Sequence, residues 1–343
     1  MKILITGGAG FIGSHAAEFY ARSGNDVVIF DNLSRAKLLK KNIKNIDYNW
    51  KYLKKFKNIK LVKGDIRNVK QIDKASKNVD VILHAAAQTA VTTSDVDPVA
   101  DFETNALGTF NMLESARKNY VKKVLYCSTN KVYGENVNNV GVEEEKSRYV
   151  FEKKYQNGIG ETFPIDLCEH TPYGCSKLTG DSYMQDYGKL YGIKTGVFRM
   201  SCVYGTRQLG IEDQGWVAWF AIATILGKNI NIYGDGKQVR DVLFVSDLID
   251  IFDCFVRSNK SGVYNTGGGP ENTLSLLELL EILSKLTNKK SKIKFSDWRP
   301  SDQKVYISDI SKAKKELKWK PKVSPQEGIK QLVGWIGKNK RLF

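Results

Sequence analysis

The 343-residue chain is 42% hydrophobic and 26% charged, a composition ordinary for a soluble globular protein. No apolar run reaches membrane length, and the chain enters a strand at once rather than a secretory leader, so a cytoplasmic protein with no membrane partner is expected. The net charge is +16, from 53 Lys and Arg against 37 Asp and Glu; with no helix-turn-helix, zinc or RNP signature beside it, this reads as a lysine-rich solvated surface, argues against nucleic acid as a partner, and would attract an acidic small molecule.

Lys2 to Thr6 read as a short buried strand. Gly7, Gly10 and Gly13 follow at the spacing G-x-x-G-x-x-G. A helix from Phe11 to Ser23 then carries Phe11, Ile12, Ala16, Phe19 and Tyr20 on one face, and Gly24 ends it. A strand feeding a glycine-rich turn and a helix start is a pyrophosphate cradle. Glycine lets the backbone turn tightly and approach the phosphates, and amide N–H groups at the helix start point at the anion. A second strand, Asp26 to Phe30, ends at Asp31, about twenty residues beyond the cradle. A carboxylate there can accept both ribose hydroxyls of NAD and would repel the extra phosphate of NADP. NAD is therefore the expected cofactor, with Gly7, Gly10, Phe11, Ile12, Gly13, Asp31, Asn32 and Ser34 as candidate contacts.

Basic residues run from Lys37 to Lys60, where Tyr48, Trp50, Tyr52 and Phe56 predict a partly packed helix. A third strand, Lys60 to Lys63, leads to Asp65 and Ile66. A fourth, Val79 to Leu83, leads to His84, Ala85, Ala87 and Gln88, where small residues suit close approach by a cofactor. Pro98 opens one long helix through Asn105 and Thr109 to Lys118. A fifth strand, Lys123 to Cys127, ends at Ser128 and Thr129. Asp65, Ile66, Ala85, Ala87, Gln88, Asn105 and Ser128 complete the cofactor candidates. Strands alternating with helices predict an α/β protein built on a Rossmann-type doubly wound parallel sheet. Ligands of such sheets bind beyond the strand C-termini.

Residues 134–172 leave this rhythm and read as an ordered insertion or lid. Pro172 then begins a helix to Leu190, and Thr195 to Arg199 form a sixth strand. The predicted division is an NAD-binding domain over 1–200, with the insertion at 134–172, and a smaller C-terminal α/β substrate lobe over 201–343 that returns to the first domain near 240–266. The five cysteines are scattered, odd in number and without a C-x-x-C pair, so they read as reduced thiols, and no metal is expected. His84, at a buried strand end, and His15 read as structural.

Tyr173 and Lys177 stand four apart on one helix and share a face. A lysine ammonium near a phenol stabilises the phenolate and lowers its pKa. A tyrosine so tuned could take a proton from a sugar hydroxyl while a nicotinamide takes the hydride, and Thr129 could hold the same oxygen. Tyr173, Lys177 and Thr129 are the catalytic candidates.

The run Thr6-Gly-Gly-Ala-Gly-Phe-Ile-Gly13, with His84-Ala-Ala-Ala87, Asn105 and Tyr173-x-x-x-Lys177, resembles an extended short-chain dehydrogenase/reductase of the nucleotide-sugar class. The resemblance implies that Tyr173 is the acid/base, that Lys177 also bonds the nicotinamide ribose, and that Thr129 assists. Arg240-Asp-Val-Leu-Phe-Val-Ser-Asp247 resembles the family's C-terminal motif and implies Arg240 near a substrate diphosphate. Sugar 4,6-dehydratases of this class carry Asp-Glu after the strand-end Thr, where elimination of water needs a second acid and base. This chain has Asn130 and Lys131, which leaves epimerisation or a net dehydrogenase or reductase.

Three longer runs, Gln88 to Ser94, Arg207 to Trp219 and Gly234 to Asp241, resemble the CDP-tyvelose epimerase subfamily. That implies a CDP-sugar substrate epimerised at C2. Thr92, Thr129, Asn130, Ser201, Arg207, Gln208, Gln214 and Arg240 are the implied substrate contacts, and the apolar part of Gln208 to Trp219 is expected in a packed helix. The residues themselves do not choose C2 over C4 or cytidine over uridine. A UDP-sugar 4-epimerase and a non-catalytic NAD-binding regulator remain as alternatives. The family's pairing of the helices Pro98 to Lys118 and Pro172 to Leu190 implies a homodimer or homotetramer.

Overall fold

Ile3, Leu4 and Ile5 have no solvent exposure. They lie in β1 (Lys2–Thr6), the pivot of a seven-stranded sheet. With β2 (Asp26–Asp31), β3 (Ile59–Lys63), β4 (Val81–His84) and β5 (Lys123–Thr129), the spatial order is Gly262–Thr266, Lys194–Met200, β5, β4, β1, β2, β3. β1 pairs in parallel with both β2 and β4, β2 with β3, and β4 with β5. Near-continuous burial along β1, β4 and β5 is what a parallel sheet covered on both faces requires. The expected Rossmann-type doubly wound sheet is thus what the chain forms. Strand order reverses at β1, between β2 and β4, and that reversal opens a ligand crevice at their C-terminal ends.

The computed structural model describes residues 1–38, 45–299 and 302–343. Of the basic stretch read over 37–60, residues 39–44 lie outside the described residues, and the aromatic part forms a short helix, Tyr48–Leu53. The chain divides into two compact units. The first comprises Met1–Val132, His170–Arg199 and Ile249–Tyr264. Its core joins Leu4, Phe30, Ile82, Val124, Met112 and Met184 from the sheet and its flanking helices.

The second unit comprises Tyr133–Glu169, Met200–Leu248 and Asn265–Phe343. Its four-stranded sheet is built on Val239–Phe244, which pairs antiparallel with Thr273–Ser275 and in parallel with Val305–Tyr306 and Cys202–Tyr204. Asn229–Tyr233 pairs with Lys292–Ser296. The stretch expected as an insertion in the first domain groups with this second unit. There it forms a small hairpin, Val142–Glu144 against Tyr149–Phe151, anchored where Arg148 grips Glu278 at 2.7 Å. The apolar helix expected within Gln208 to Trp219 begins only at Trp216, preceded by Gly215 in the left-handed region.

One expected element is altered. The helix opened by Pro98 runs to Lys118 as expected, but not as a regular α-helix: Pro98–Phe102 passes through a widened i→i+5 turn, Glu103–Leu107, into Gly108–Lys118. Such π-turns occur mostly as single turns inside α-helices, frequently at functional sites. The side chain at its centre, Asn105, is fully committed. Its Oδ1 accepts from the Gln88 amide at 2.9 Å, and its Nδ2 donates to the Gln88 carbonyl at 3.0 Å, to Asp101 Oδ1 at 3.0 Å and to Ser176 Oγ at 3.1 Å. These tertiary bonds lock the helix to the loop after β4 and to the Tyr173 helix.

Candidate active site

The cradle follows β1 directly. Gly7 has φ +67° and donates its N–H to Phe30 O at 2.9 Å, while Gly10 N–H closes back on Gly7 O at 3.0 Å. A Cβ on Gly7 would meet the Ala86 amide nitrogen at 2.6 Å, and one on Gly13 would meet Gly7 O at 2.4 Å. The space is therefore closed to any other residue at both positions. The helix that follows, α1 (Phe11–Arg22), starts at Gly10 with no side-chain cap. Its first amides point out of the helix end with no side chain to satisfy them, which is the arrangement an anion fills.

Asp31 lies at the end of β2. Its Oδ2 accepts from Ala9 N–H and its Oδ1 from Leu33 N–H, at 2.9 and 2.8 Å. Burial raises its pKa, opposed by those two amides. Each oxygen retains a second lone pair for a ribose hydroxyl. Asn32 donates to Asp65 Oδ2 at 3.0 Å and accepts from Ser34 N–H. Arg67 and Asn32 hold Asp65 down at about 2. Ile66 is buried in the core cluster. After β4, Ala85 N–H donates to Thr6 O at 3.1 Å, and Gln88 turns on itself by bonding both groups of Ala90. A turn closed to side chains, an uncapped helix start and a strand-end carboxylate fit a dinucleotide with an unphosphorylated ribose.

Tyr173 and Lys177 sit on the helix Thr171–Leu190, whose Pro172 occupies the first turn. Both are buried, Lys177 at 2% exposure. The structure corrects the expectation that Lys177 lowers the Tyr173 pKa. Burial instead pushes the phenol up to about 12, opposed by a hydrogen bond with Thr129. Lys177 Nζ donates to Cys127 O at 2.6 Å and lies 4.0 Å from the centre of the Tyr126 ring. Burial lowers Lys177 to about 8, opposed by Cys127, Asp181 and Asp101.

Ser128, expected to contact the cofactor, spends its hydroxyl on Asp181 Oδ2 at 2.7 Å. Thr129 Oγ1 accepts from Lys131 N–H and faces Asn130. Thr92 is exposed on the short helix Val91–Val96. Behind Tyr173 and Lys177 lies a buried ion pair, Arg199 to Asp181, with bonds of 2.9 and 3.1 Å. Sequence reading passed over Asp181, although its place four residues after Lys177 on the same helix marks it as a neighbour.

His84 is a packed, hydrogen-bonded histidine. Thr109 Oγ1 donates to Asn105 O, so it accepts from His84 Nε2–H at 3.0 Å, and His84 Nδ1 accepts from Thr6 Oγ1 at 2.6 Å. This tautomer is assigned from the network. Burial, then the Lys177 charge, depress its pKa to about 3. The unfolded chain binds a proton near pH 6.5 that the folded chain refuses, so stability falls as pH drops from 6.5 towards 3. Roughly 2 kcal/mol should be lost at pH 5 through this residue. Urea unfolding at pH 7.5 and 5 should show that loss in the wild type and lack it in His84→Gln. An equal acid loss in both proteins would assign it elsewhere.

In the second unit, Arg240 Nη2 bonds Asp302 Oδ1 at 2.7 Å and Nη1 bonds Val239 O. Arg299 pairs with Asp213 at 3.1 Å and stacks 4.0 Å from the centre of the Tyr233 ring. Arg207 is buried with φ +59°. Gln208 Nε2 donates to Val203 O, and Gln214 and Ile211 exchange backbone bonds at 3.0 Å. Ser201 Oγ donates to Asp241 O at 3.0 Å. A cavity of about 420 Å³ is walled by Glu135, Asn138, Trp298, Arg299, Asp302 and Lys304, among others. Arg299 and Asp302 were not read as site residues. Their signal was an Arg and an Asp three apart beside Trp298, in a stretch otherwise poor in acids. Among the described residues, no cluster could hold a metal ion and no helix is long and apolar enough to cross a membrane.

Residues 4–332 match the GDP-mannose 4,6 dehydratase family, and the chain belongs to that family of extended short-chain dehydrogenases/reductases acting on nucleotide sugars. The CDP-paratose 2-epimerase of Salmonella typhi is 40% identical, over 98% of this chain and 99% of its own length. A structure of UDP-glucose 4-epimerase from Thermotoga maritima with UDP-glucose has a TM-score of 0.82 at 30% identity, covering 99% of this chain and 100% of that one. UDP-glucuronic acid 4-epimerase from Bacillus cereus, in complex with UDP-glucuronic acid and NAD, has a TM-score of 0.81 at 28% identity, covering 99% and 100%. Within the family, the chain stands among the NAD-dependent nucleotide-sugar epimerases.

Proposed function

We propose that the chain interconverts CDP-paratose and CDP-tyvelose by epimerising C2 of the sugar. The observation that carries this reading is identity of 40%, sustained end to end, with a CDP-paratose 2-epimerase. The strand end Thr129-Asn130-Lys131 agrees with it, because it lacks the carboxyl pair that elimination of water uses. NAD, when bound, supplies the hydride acceptor and donor of one closed redox cycle. Gly7, Gly10, Gly13 and the start of α1 would hold its pyrophosphate, and Asp31 its ribose. Tyr173 takes the proton of the C2 hydroxyl as that carbon is oxidised, and gives it back once the ketone has turned its other face. Thr129 holds the same oxygen. Arg207 and Arg240 are assigned to the substrate's diphosphate, where a guanidinium can bind two oxygens.

Purified protein incubated with CDP-paratose should form CDP-tyvelose, read by NMR, and CDP should inhibit more strongly than UDP. The second reading, a UDP-sugar 4-epimerase, is favoured by the Thermotoga and Bacillus structures. Turnover of UDP-glucose without turnover of CDP-paratose would replace the first reading with the second.

A homodimer is part of the proposal. Phe102 is 57% exposed and Tyr183 41% exposed, and Phe110 meets Tyr183 edge-on at 5.4 Å between ring centres. Val99 and Leu190 add exposed apolar surface on the same pair of helical stretches, and apolar patches of that kind mark association sites. Light scattering should report a dimer or tetramer, and the double variant Phe102→Glu, Tyr183→Glu should reduce it to a monomer. An unchanged mass would place the interface elsewhere.

A further inference from the structure

The assignments above leave Asp101 unused. It stands in the short helix Pro98–Phe102 with 1% exposure. Its Oδ1 accepts from Asn105 Nδ2 at 3.0 Å, whereas Oδ2 is sealed from solvent without a hydrogen bond. Beside it lies the Ser176 hydroxyl, which accepts from Asn105 and donates to the Tyr173 carbonyl at 3.1 Å. Asp101 forms no ion pair among the described residues. Leaving a buried acceptor unmet costs on the order of 1–3 kcal/mol, more for a charged one. A cost of that kind points to a charge with a use.

The surrounding charges show where that use lies. Burial raises the Asp101 pKa, the Ser176 hydroxyl and the Lys177 charge oppose that rise and favour the carboxylate, and Asp95, on the neighbouring helix Val91–Val96, adds to it. Two carboxylates act on Lys177, Asp181 and Asp101. Asp181 is committed to the Arg199 guanidinium and the Ser128 hydroxyl. Asp101 is the one without a cation in bonding contact. Around Tyr173 the facing groups are Thr129, Asp101 and Cys127. Cys127 is itself pushed up to about 12 by burial and is neutral at working pH, and His84, beside Lys177, is neutral as well.

We propose that Asp101 is a positioning residue for the Tyr173–Lys177 pair: through Asn105 and Ser176 it fixes the Tyr173 helix against the widened turn, and its unpaired charge keeps Lys177 an ammonium. The two effects are separable by sign. A negative charge stabilises the protonated form of both neighbours. Asp101→Asn therefore lowers the pKa of the phenol and of the ammonium together, and the pH–rate bell moves to lower pH on both limbs.

This inference rests on the catalytic assignment of Tyr173 and Lys177, so its test includes a reading that needs no substrate. Tyr173 would be titrated in the NAD-loaded protein by phenolate absorbance, subtracting Tyr173→Phe in each background. Asp101→Asn should move the midpoint down by about one unit, and Asp101→Glu should keep it near the wild type. With substrate, both limbs of the kcat profile should follow by a similar amount, with KM little changed. An unmoved phenolate midpoint in a folded, NAD-binding Asp101→Asn overturns the proposal, as does a loss of kcat with both limbs in place. If neither CDP-paratose nor UDP-glucose is turned over, the functional reading fails while the titration still decides the role of Asp101.

Discussion

Tyr173→Phe should leave a folded protein that binds NAD as the wild type does and turns over roughly 10²–10⁴-fold more slowly. The hydroxyl removed is buried and bonded to Thr129. One such bond is worth about 1 kcal/mol net, and Thr129 keeps its contacts with Asn130 and the Lys131 amide. The catalytic loss is larger, since each factor of ten in rate is about 1.4 kcal/mol. Burial raises the phenol to a pKa near 12, which makes it a weak acid and makes its phenolate, once formed, a strong base for the substrate hydroxyl. Calorimetric titration with NAD and steady-state rates on the same preparation separate the two effects. Retained turnover would remove Tyr173 from the chemistry.

Gly7→Ala should abolish measurable NAD binding at ordinary concentrations, weakening it by on the order of 100-fold or more, and should cost about 2–4 kcal/mol in stability. Two penalties combine here. The left-handed φ of +67° strains any residue with a Cβ. The added carbon would also lie 2.6–2.7 Å from backbone atoms of Ala85 and Ala86, which no rotamer change can relieve. The loop after β4 must therefore move, and with it the amides of the cradle. Gly24→Ala supplies the control. It has φ +76° and nothing within 4 Å of the added carbon, so it isolates the strain, about 1 kcal/mol, and should leave NAD binding intact. Equal effects of the two variants would show that strain, and not the clash, governs the cradle.

What could be read from the sequence was local. The glycine spacing, the acid after the second strand and the Tyr–Lys pair each lie within a few residues, and each follows from backbone sterics or helix geometry. The end-positions of β1, β2, β4 and β5 follow from apolar runs ending in polar residues. The rest depends on residues far apart in the chain. Lys177 was read through its helix neighbour, yet its ammonium belongs to Cys127, 50 residues away. The four-stranded sheet of the second unit gathers strands from Cys202 to Tyr306, and strands of two or three residues leave no periodicity to detect. The hairpin within 133–169 is of the same kind. The ion pairs Arg199–Asp181 and Arg240–Asp302 are likewise invisible until the fold brings them together.

The widened turn at Glu103–Leu107 makes the length of this stretch matter as much as its chemistry. A π-turn holds one residue more than a regular helix would place there. Deleting a single residue, Thr104 for instance, would let the helix close up regularly and rotate everything before it by about 100° against Gly108–Lys118. Asp101 would swing away from the Asn105 amide, and Val99 and Phe102 would leave the azimuth they now present to solvent. A three-base deletion in this stretch thus amounts to a screw motion that disengages an interior lock and turns an exposed apolar face in one event, with nearly all the same side chains still present.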